Sequence, residues 1–167
     1  TRLFSPPGRV ARPALAKVRG AIFNVLTGLE GARVLDLYAG TGALGFEALS
    51  RGAATAAFFE RDPVCAAAIR ASAEKLRCGK RVCVHEGDVE AQLETEAGAA
   101  ADLAFADPPY AFVDEDLPRA RFVSLLERLG SEGVLKPGGW LVVEHREGTE
   151  LPTPQGFALD ELRSYGQ

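Results

Sequence analysis

Apolar residues occur along this chain in short blocks that switch between two spacings. Leu15, Val18, Ile22, Val25, Leu26 and Leu29 recur every three or four positions, so a helix is predicted from Ala14 to about Leu29, starting just after Pro13. A continuous apolar run then predicts a buried strand at 33–38, followed by a helix at 43–51. The same rhythm predicts a strand at 54–59, an alanine-rich helix from Pro63 to about Arg77, and a strand at Val82-Cys83-Val84-His85. Beyond these come a short helix from Glu90 to about Glu96, a strand at 101–106 and a helix from about Leu117 to Leu129. Lys136-Pro137-Gly138-Gly139 is predicted as a turn, Trp140 to Glu144 as a fifth strand, and Phe157 to Tyr165 as one more strand at a C-terminal edge that is expected to be incomplete. Strands and helices alternating at this pace indicate an α/β protein with a mostly parallel, doubly wound sheet flanked by helices. The expected organisation is a single domain over 1–167, with an N-terminal arm and helix at 1–29 and the core at 30–167.

Composition adds two constraints. A chain of 167 residues, 47% hydrophobic and 25% charged, is long enough for a full core. No apolar run approaches the roughly 20 residues that span a bilayer, and the first residues lack the apolar centre of a signal peptide, so a cytoplasmic location is expected. The net charge of −4 is unevenly distributed, since Arg2, Arg9, Arg12, Lys17 and Arg19 share residues 1–29 with no acid. Local positive charge attracts phosphate whatever the average; the plainer reading is a solvated helix face. Cys65, Cys78 and Cys83 are odd in number and lack C-x-x-C spacing, which predicts buried free thiols and neither a disulfide framework nor a metal site. His85 and His145 each follow a valine-rich strand without a ligand-spaced partner and are read as structural strand-end residues.

Two runs carry chemistry. The strand Arg33-Val34-Leu35-Asp36-Leu37-Tyr38 turns through Ala39-Gly40-Thr41-Gly42-Ala43-Leu44-Gly45 into a helix, and Gly40, Gly42 and Gly45 satisfy G-x-G-x-x-G. Glu60 closes the next strand, where an acid grips ribose hydroxyls. That spacing also fits a dinucleotide. Asp36 favours another ligand, because a carboxylate at the end of the first strand repels pyrophosphate at a helix N-terminus. S-adenosyl-L-methionine carries no phosphate but has a cationic ammonium and a sulfonium. The second run, Asp107-Pro108-Pro109-Tyr110, places an acid, two prolines and an aromatic ring at the end of Leu103-Ala104-Phe105-Ala106. Each proline fixes its own φ and pushes its predecessor toward extended geometry, which makes a rigid array of acceptors beside a ring. Such an array suits a planar group bearing an amine.

Together, Asp36 to Gly45 and Asp107 to Tyr110 resemble a class I S-adenosylmethionine-dependent methyltransferase, over about residues 30 to 145. The run Arg12-Pro13-Ala14-Leu15-Ala16-Lys17-Val18-Arg19-Gly20-Ala21-Ile22-Phe23-Asn24 resembles the segment before the first strand in the RsmD family of bacterial 16S rRNA guanine-N2 methyltransferases. Asp36 to Gly45 followed by Glu47-Ala48-Leu49-Ser50-Arg51-Gly52 is similar to that family as well. The family usually has threonine where Ala14 stands, an acid where Gly20 stands, and a glycine- and lysine-rich strand at its start.

The resemblance implies a Rossmann-like fold in which Asp36 and the turn Tyr38, Ala39, Gly40, Thr41 and Gly42 hold the methionine part of the cofactor. It implies that Glu60 binds the ribose diol, Asp88 accepts from the adenine amine, and Arg61 and Val89 pack beside the adenosine. Asp107, Pro108, Pro109 and Tyr110 would take the target guanine, with Arg12, Arg19 and Asn24 near the substrate mouth. The implied protein is a cytoplasmic monomer without metal, acting on 16S rRNA or on the assembling small ribosomal subunit. DNA adenine-N6 methylation or another amine methylation, and a non-catalytic RNA-binding module, remain the alternatives. A glutamine substrate is disfavoured by Asp107, because that version of the motif begins with asparagine.

Overall fold

The computed structural model describes residues 3–4, 13–109 and 111–164. Strands β1 (Arg33–Leu37), β2 (Thr55–Glu60), β3 (Val82–Glu86), β4 (Ala101–Ala106) and β5 (Leu135–Val143) form one sheet in the order β3-β2-β1-β4-β5, and each neighbouring pair is parallel. Between and before them lie helices α1 (Pro13–Val25), α2 (Ala43–Ser50), α3 (Pro63–Lys75), α4 (Val89–Gln92), α5 (Ala111–Asp114) and α6 (Asp116–Ser131). Short 3₁₀ turns stand at Gly79–Arg81 and Leu93–Glu96.

Successive residues of a strand point to opposite faces, so the central strands feed two cores. Val34, Phe58 and Phe105 join Phe23 of α1, Phe46 of α2 and Ile69 of α3 on one face. Leu35, Leu37 and Phe59 join Val89 of α4, Val113 of α5 and Phe122, Leu125 and Leu129 of α6 on the other. Coverage of both faces is what an all-parallel sheet requires, and it explains why these strands read as near-continuous apolar runs. The connections are held by local chemistry. Asp62 caps α3 by accepting from the Val64 N–H at 2.9 Å, with Pro63 as the first helical residue. Arg81 donates to the carbonyls of Leu49 at 3.1 Å, Ala53 at 2.5 Å and Ala54 at 3.1 Å, satisfying acceptors that the end of α2 and the following turn leave open.

Several expectations need correction. Helix α1 stops at Val25 rather than Leu29, because Gly28 takes a left-handed φ of 74° and redirects the chain; Leu29 is buried all the same. Lys136 to Gly139 is an excursion inside β5 and not a turn before it: Leu135 pairs with Ala101, and pairing resumes at Trp140 with Leu103. The excursion is anchored by an ion pair between Lys136 and Asp102, whose carboxylate also accepts from the Arg33 N–H at 2.8 Å. Residues 157–164 contain no strand. Phe157 packs on the core near Gly130, whereas Leu159 and Leu162 are exposed, so the alternation buries only its first member. All three cysteines are free, but only Cys65 is buried, and Cys83 is exposed. His85 has partners after all, since its Nε2 lies 2.8 Å from Glu96 Oε1.

Candidate active site

From β1 the chain winds outward through β2 to β3, then returns to β4 beside β1 and continues to β5. Such a reversal opens a crevice outside the carboxyl ends of the two central strands. The glycine turn leaves β1 at this place, and the acid–proline run leaves β4.

Three residues of the turn adopt left-handed backbone: Tyr38 at φ 61°, Gly40 at 56° and Gly42 at 77°. The turn is closed by the Gly42 N–H donating to Ala39 O at 2.7 Å, and Ala39 N–H continues the sheet by donating to Phe59 O at 2.9 Å. A Cβ on Gly40 would meet no atom within 4 Å. Gly40 therefore serves its backbone conformation and leaves an open face that a ligand can approach. Gly42 and Gly45 serve packing. A Cβ on Gly42 would lie 2.9 Å from Phe58 Cε1, and one on Gly45 would lie 2.7 Å from Phe58 Cζ and closer still to Cε1. Gly45→Ala should accordingly lower stability by about 1–3 kcal/mol through overpacking, measured by urea denaturation. An unchanged midpoint would show that the Phe58 ring can move aside at no cost.

The carboxylates follow the sheet register. Leu37 pairs with Phe59 and Ala106, and Ala106 with Val143, so Glu60, Asp107 and Glu144 each stand one residue beyond a matched position and Asp36 one residue before. All four share the face of Val34, Phe58 and Phe105. Asp36 is 2% exposed, and its Oδ2 accepts from the Gly45 N–H at 2.8 Å. It is turned toward α2 and away from open solvent, contrary to the expectation of a ligand-facing carboxylate. Burial pushes its carboxyl up to about 8, helped by Asp107 and Glu60 and opposed by the Gly45 hydrogen bond. Glu60 is also buried and spans two loops, Oε2 accepting from Gly40 N–H at 2.6 Å and Oε1 from Asp62 N–H at 2.8 Å. A carboxylate offers about four lone-pair sites, so acceptor capacity for a diol remains.

Asp107 is half-buried, and burial followed by the charge of Glu144 pushes its carboxyl up to about 7. Glu144 is raised as well, by burial, and its N–H donates to Ala106 O at 2.9 Å. Glu144 was not singled out from the sequence, although an acid closing a strand is the signal it shares with Glu60 and Asp107. Pro108 is buried and Pro109 exposed, with the Pro109 carbonyl accepting from Phe112 N–H at 2.8 Å. Tyr110 lies outside the described residues, as does Arg12. Tyr38 reaches the acceptor loop from the other side: its ring packs edge-on against Phe112 at 5.8 Å and tilted against Phe122 at 6.0 Å, and burial raises its hydroxyl.

The remaining expected residues are more dispersed. Thr41 and Ala39 are half-buried in the turn. Asp88 is exposed and caps α4, its Oδ1 accepting from Glu90 N–H at 2.9 Å, while Val89 beside it is buried and Arg61 is exposed. Arg19 is half-buried and Asn24 exposed on α1; among the described residues no hydrogen bond or ion pair joins either to the strand-end acids. Helix α1 is tied to the core through Phe23, which packs on Phe105 at 5.5 Å with Arg51 stacked over its ring at 4.9 Å. Taken together, the geometry offers an open glycine turn beside an arc of four carboxylates, which suits a phosphate-free cationic ligand next to an acceptor for an amine.

A family model described as "Conserved hypothetical protein 95" matches residues 1–167. Among curated proteins, ribosomal RNA small subunit methyltransferase D of Escherichia coli K12 is 30% identical over 168 residues, covering 99% of this chain and 80% of that one. The enzyme of the same name from Haemophilus influenzae is 28% identical, covering 93% of this chain and 78% of that protein. Among solved structures, a hypothetical protein of Thermus thermophilus superposes with a TM-score of 0.76 at 32% identity, covering all of this chain and 89% of that one.

Proposed function

Because this chain belongs to the RsmD family, described as Conserved hypothetical protein 95, we propose that it methylates the exocyclic N2 amine of a guanine in 16S rRNA, using S-adenosyl-L-methionine. The observation that carries the proposal is the placement of the glycine turn and Asp107 at the ends of β1 and β4, the two strands that flank the topological reversal. The open face at Gly40 and the acids at the neighbouring strand ends, Glu60 and Asp107, fit the cofactor, whose ammonium and sulfonium are cations. When bound, it supplies an electrophilic methyl group.

The chain's own residues would do the rest. Gly40 and Glu60 frame the methionine and ribose portions, with Asp88 and Val89 beside the adenine. Asp107 and the Pro108 carbonyl accept the two hydrogens of the target amine and stabilise the positive charge that develops on its nitrogen. Much of the acceleration is positional, since a delocalised amine must be held in line with the methyl group. Tyr110 stacks on the extruded base, a contact worth roughly 1–3 kcal/mol. Arg12 and Arg19 meet phosphate, while Asn24 lies at the mouth.

The test is incorporation of labelled methyl into immature small subunits, followed by mapping of the modified base. Label on a guanine N2 is expected; label on adenine, on DNA or on no nucleic acid would reject the assignment. The basic arm is tested separately. Arg12→Glu with Arg19→Glu should weaken RNA binding and flatten its dependence on log salt by about 1 for each lost phosphate contact, leaving cofactor affinity unchanged. An identical salt slope in the double variant would make the arm a solvated helix face.

A further inference from the structure

Away from the strand-end crevice, on the opposite face of the sheet from Asp36, three side chains with metal-ligating atoms converge. Cys83 Sγ and His85 Nε2, two residues apart on β3, lie 3.5 Å from each other, and His85 Nε2 lies 2.8 Å from Glu96 Oε1. All three ligand atoms fall within 4.8 Å of one another. We propose that Cys83, His85 and Glu96 bind one divalent transition-metal ion of borderline softness, with zinc the best match to a thiolate–imidazole–carboxylate set.

Three features of the site support this. First, the hydrogen-bond bookkeeping leaves a place for a cation. Thr95 Oγ1 donates to Gln92 O at 2.6 Å, so at 3.3 Å from His85 Nδ1 it can only accept from that nitrogen. A proton on Nδ1 leaves Nε2 facing a carboxylate oxygen as one acceptor facing another, and a metal ion between them would satisfy both. Second, the outer contacts are those that orient ligands. Thr95 fixes the ring tautomer, Phe59 stacks on the ring at 4.6 Å and 20°, and Arg33 pairs with Glu96 Oε2, leaving Oε1 directed at the histidine.

Third, access and rigidity are both present: Glu96 is buried, His85 is largely covered, and Cys83 is exposed, so an ion has an entry path. The ion would join β3 to the 3₁₀ turn at Leu93–Glu96 and so close the loop that carries Asp88 and Val89. The fourth coordination position would be taken by water. This site does not depend on the methyltransferase reading.

The experiment titrates the chelator-treated full chain with Zn²⁺ by calorimetry and with Co²⁺ by absorption. One equivalent should bind, and the cobalt adduct should show a thiolate-to-metal charge-transfer band. Cys83→Ser, at an exposed position, should keep the fold by circular dichroism, abolish the band and weaken binding about 10-fold or more. His85→Phe, which preserves stacking on Phe59, and Glu96→Gln should each weaken binding by a similar factor. Absence of saturable one-to-one binding in the wild type would overturn the proposal. So would persistence of the band in Cys83→Ser, since Cys65 or Cys78 would then be the ligand.

Discussion

Asp107→Ala should reduce single-turnover methyl transfer by about 10²-fold or more, the order lost with one preorganised transition-state contact, while cofactor binding persists. The carboxylate stands at the end of β4, outside the glycine turn, so its removal leaves Gly40, Gly42 and Glu60 where they are. A pH profile separates this role from a structural one. Burial and Glu144 place the Asp107 carboxyl at about 7, and only the ionised form both accepts from the amine N–H and offsets the positive charge growing on its nitrogen. The rate should therefore rise with pH up to about 7 and then level off. Glu144→Gln removes the neighbouring negative charge and should move that limb to lower pH without abolishing activity. A profile that ignores Glu144, or near-normal transfer by Asp107→Ala, would refute the assignment of Asp107 as the amine acceptor.

The second large effect concerns a residue whose retention costs stability. Asp36→Asn should make the cofactor-free protein more stable at neutral and alkaline pH while weakening its hold on the cofactor. The folded carboxyl sits at about 8 against an ordinary value of 3.8, chiefly because it is buried. A raised folded value means that the native state holds the proton more tightly than the unfolded chain. The linked stability is complete below about pH 4 and is lost as pH rises toward 8. Asparagine avoids the buried anion, and its amide oxygen can still accept from Gly45 N–H. The expected gain is on the order of 2–4 kcal/mol at pH 8, shrinking toward zero near pH 4. Above about pH 8, where the wild-type carboxyl is ionised, affinity for the cationic cofactor should fall about 10-fold with the loss of a nearby charge. Denaturation at both pH values and calorimetric titration measure the two halves; a gain independent of pH would contradict the buried-anion argument.

The parts of the fold legible in the sequence were those with a strong local cause. Gly40 and Gly42 take positive φ, and the alternation of apolar runs located the five strands of the described residues. The crevice was legible for the same reason, because Asp36 and Asp107 each follow an apolar run that can only be a buried strand. What escaped depends on pairing across the fold. The excursion at Lys136–Gly139 reads locally as a turn, and only its pairing on both sides, Leu135 with Ala101 and Trp140 with Leu103, makes it part of a strand. Glu144 gains meaning from standing beside Asp107, and Glu96 meets His85 only after a 3₁₀ turn folds back onto β3. The alternation at Phe157 misled because nothing buries Leu159 and Leu162 among the described residues.

Tyr38 belongs to two loops at once. Its backbone, held at φ 61°, begins the turn that would receive the cofactor, and its ring seats Phe112 of α5, just beyond the acid–proline run. A ligand bound at the first loop should therefore steady the seat of the second, and the expected consequence is a sequence of events. Cofactor should load before RNA, and the empty enzyme should capture its target base poorly, which spares rRNA from unproductive occupancy when methyl donor is scarce.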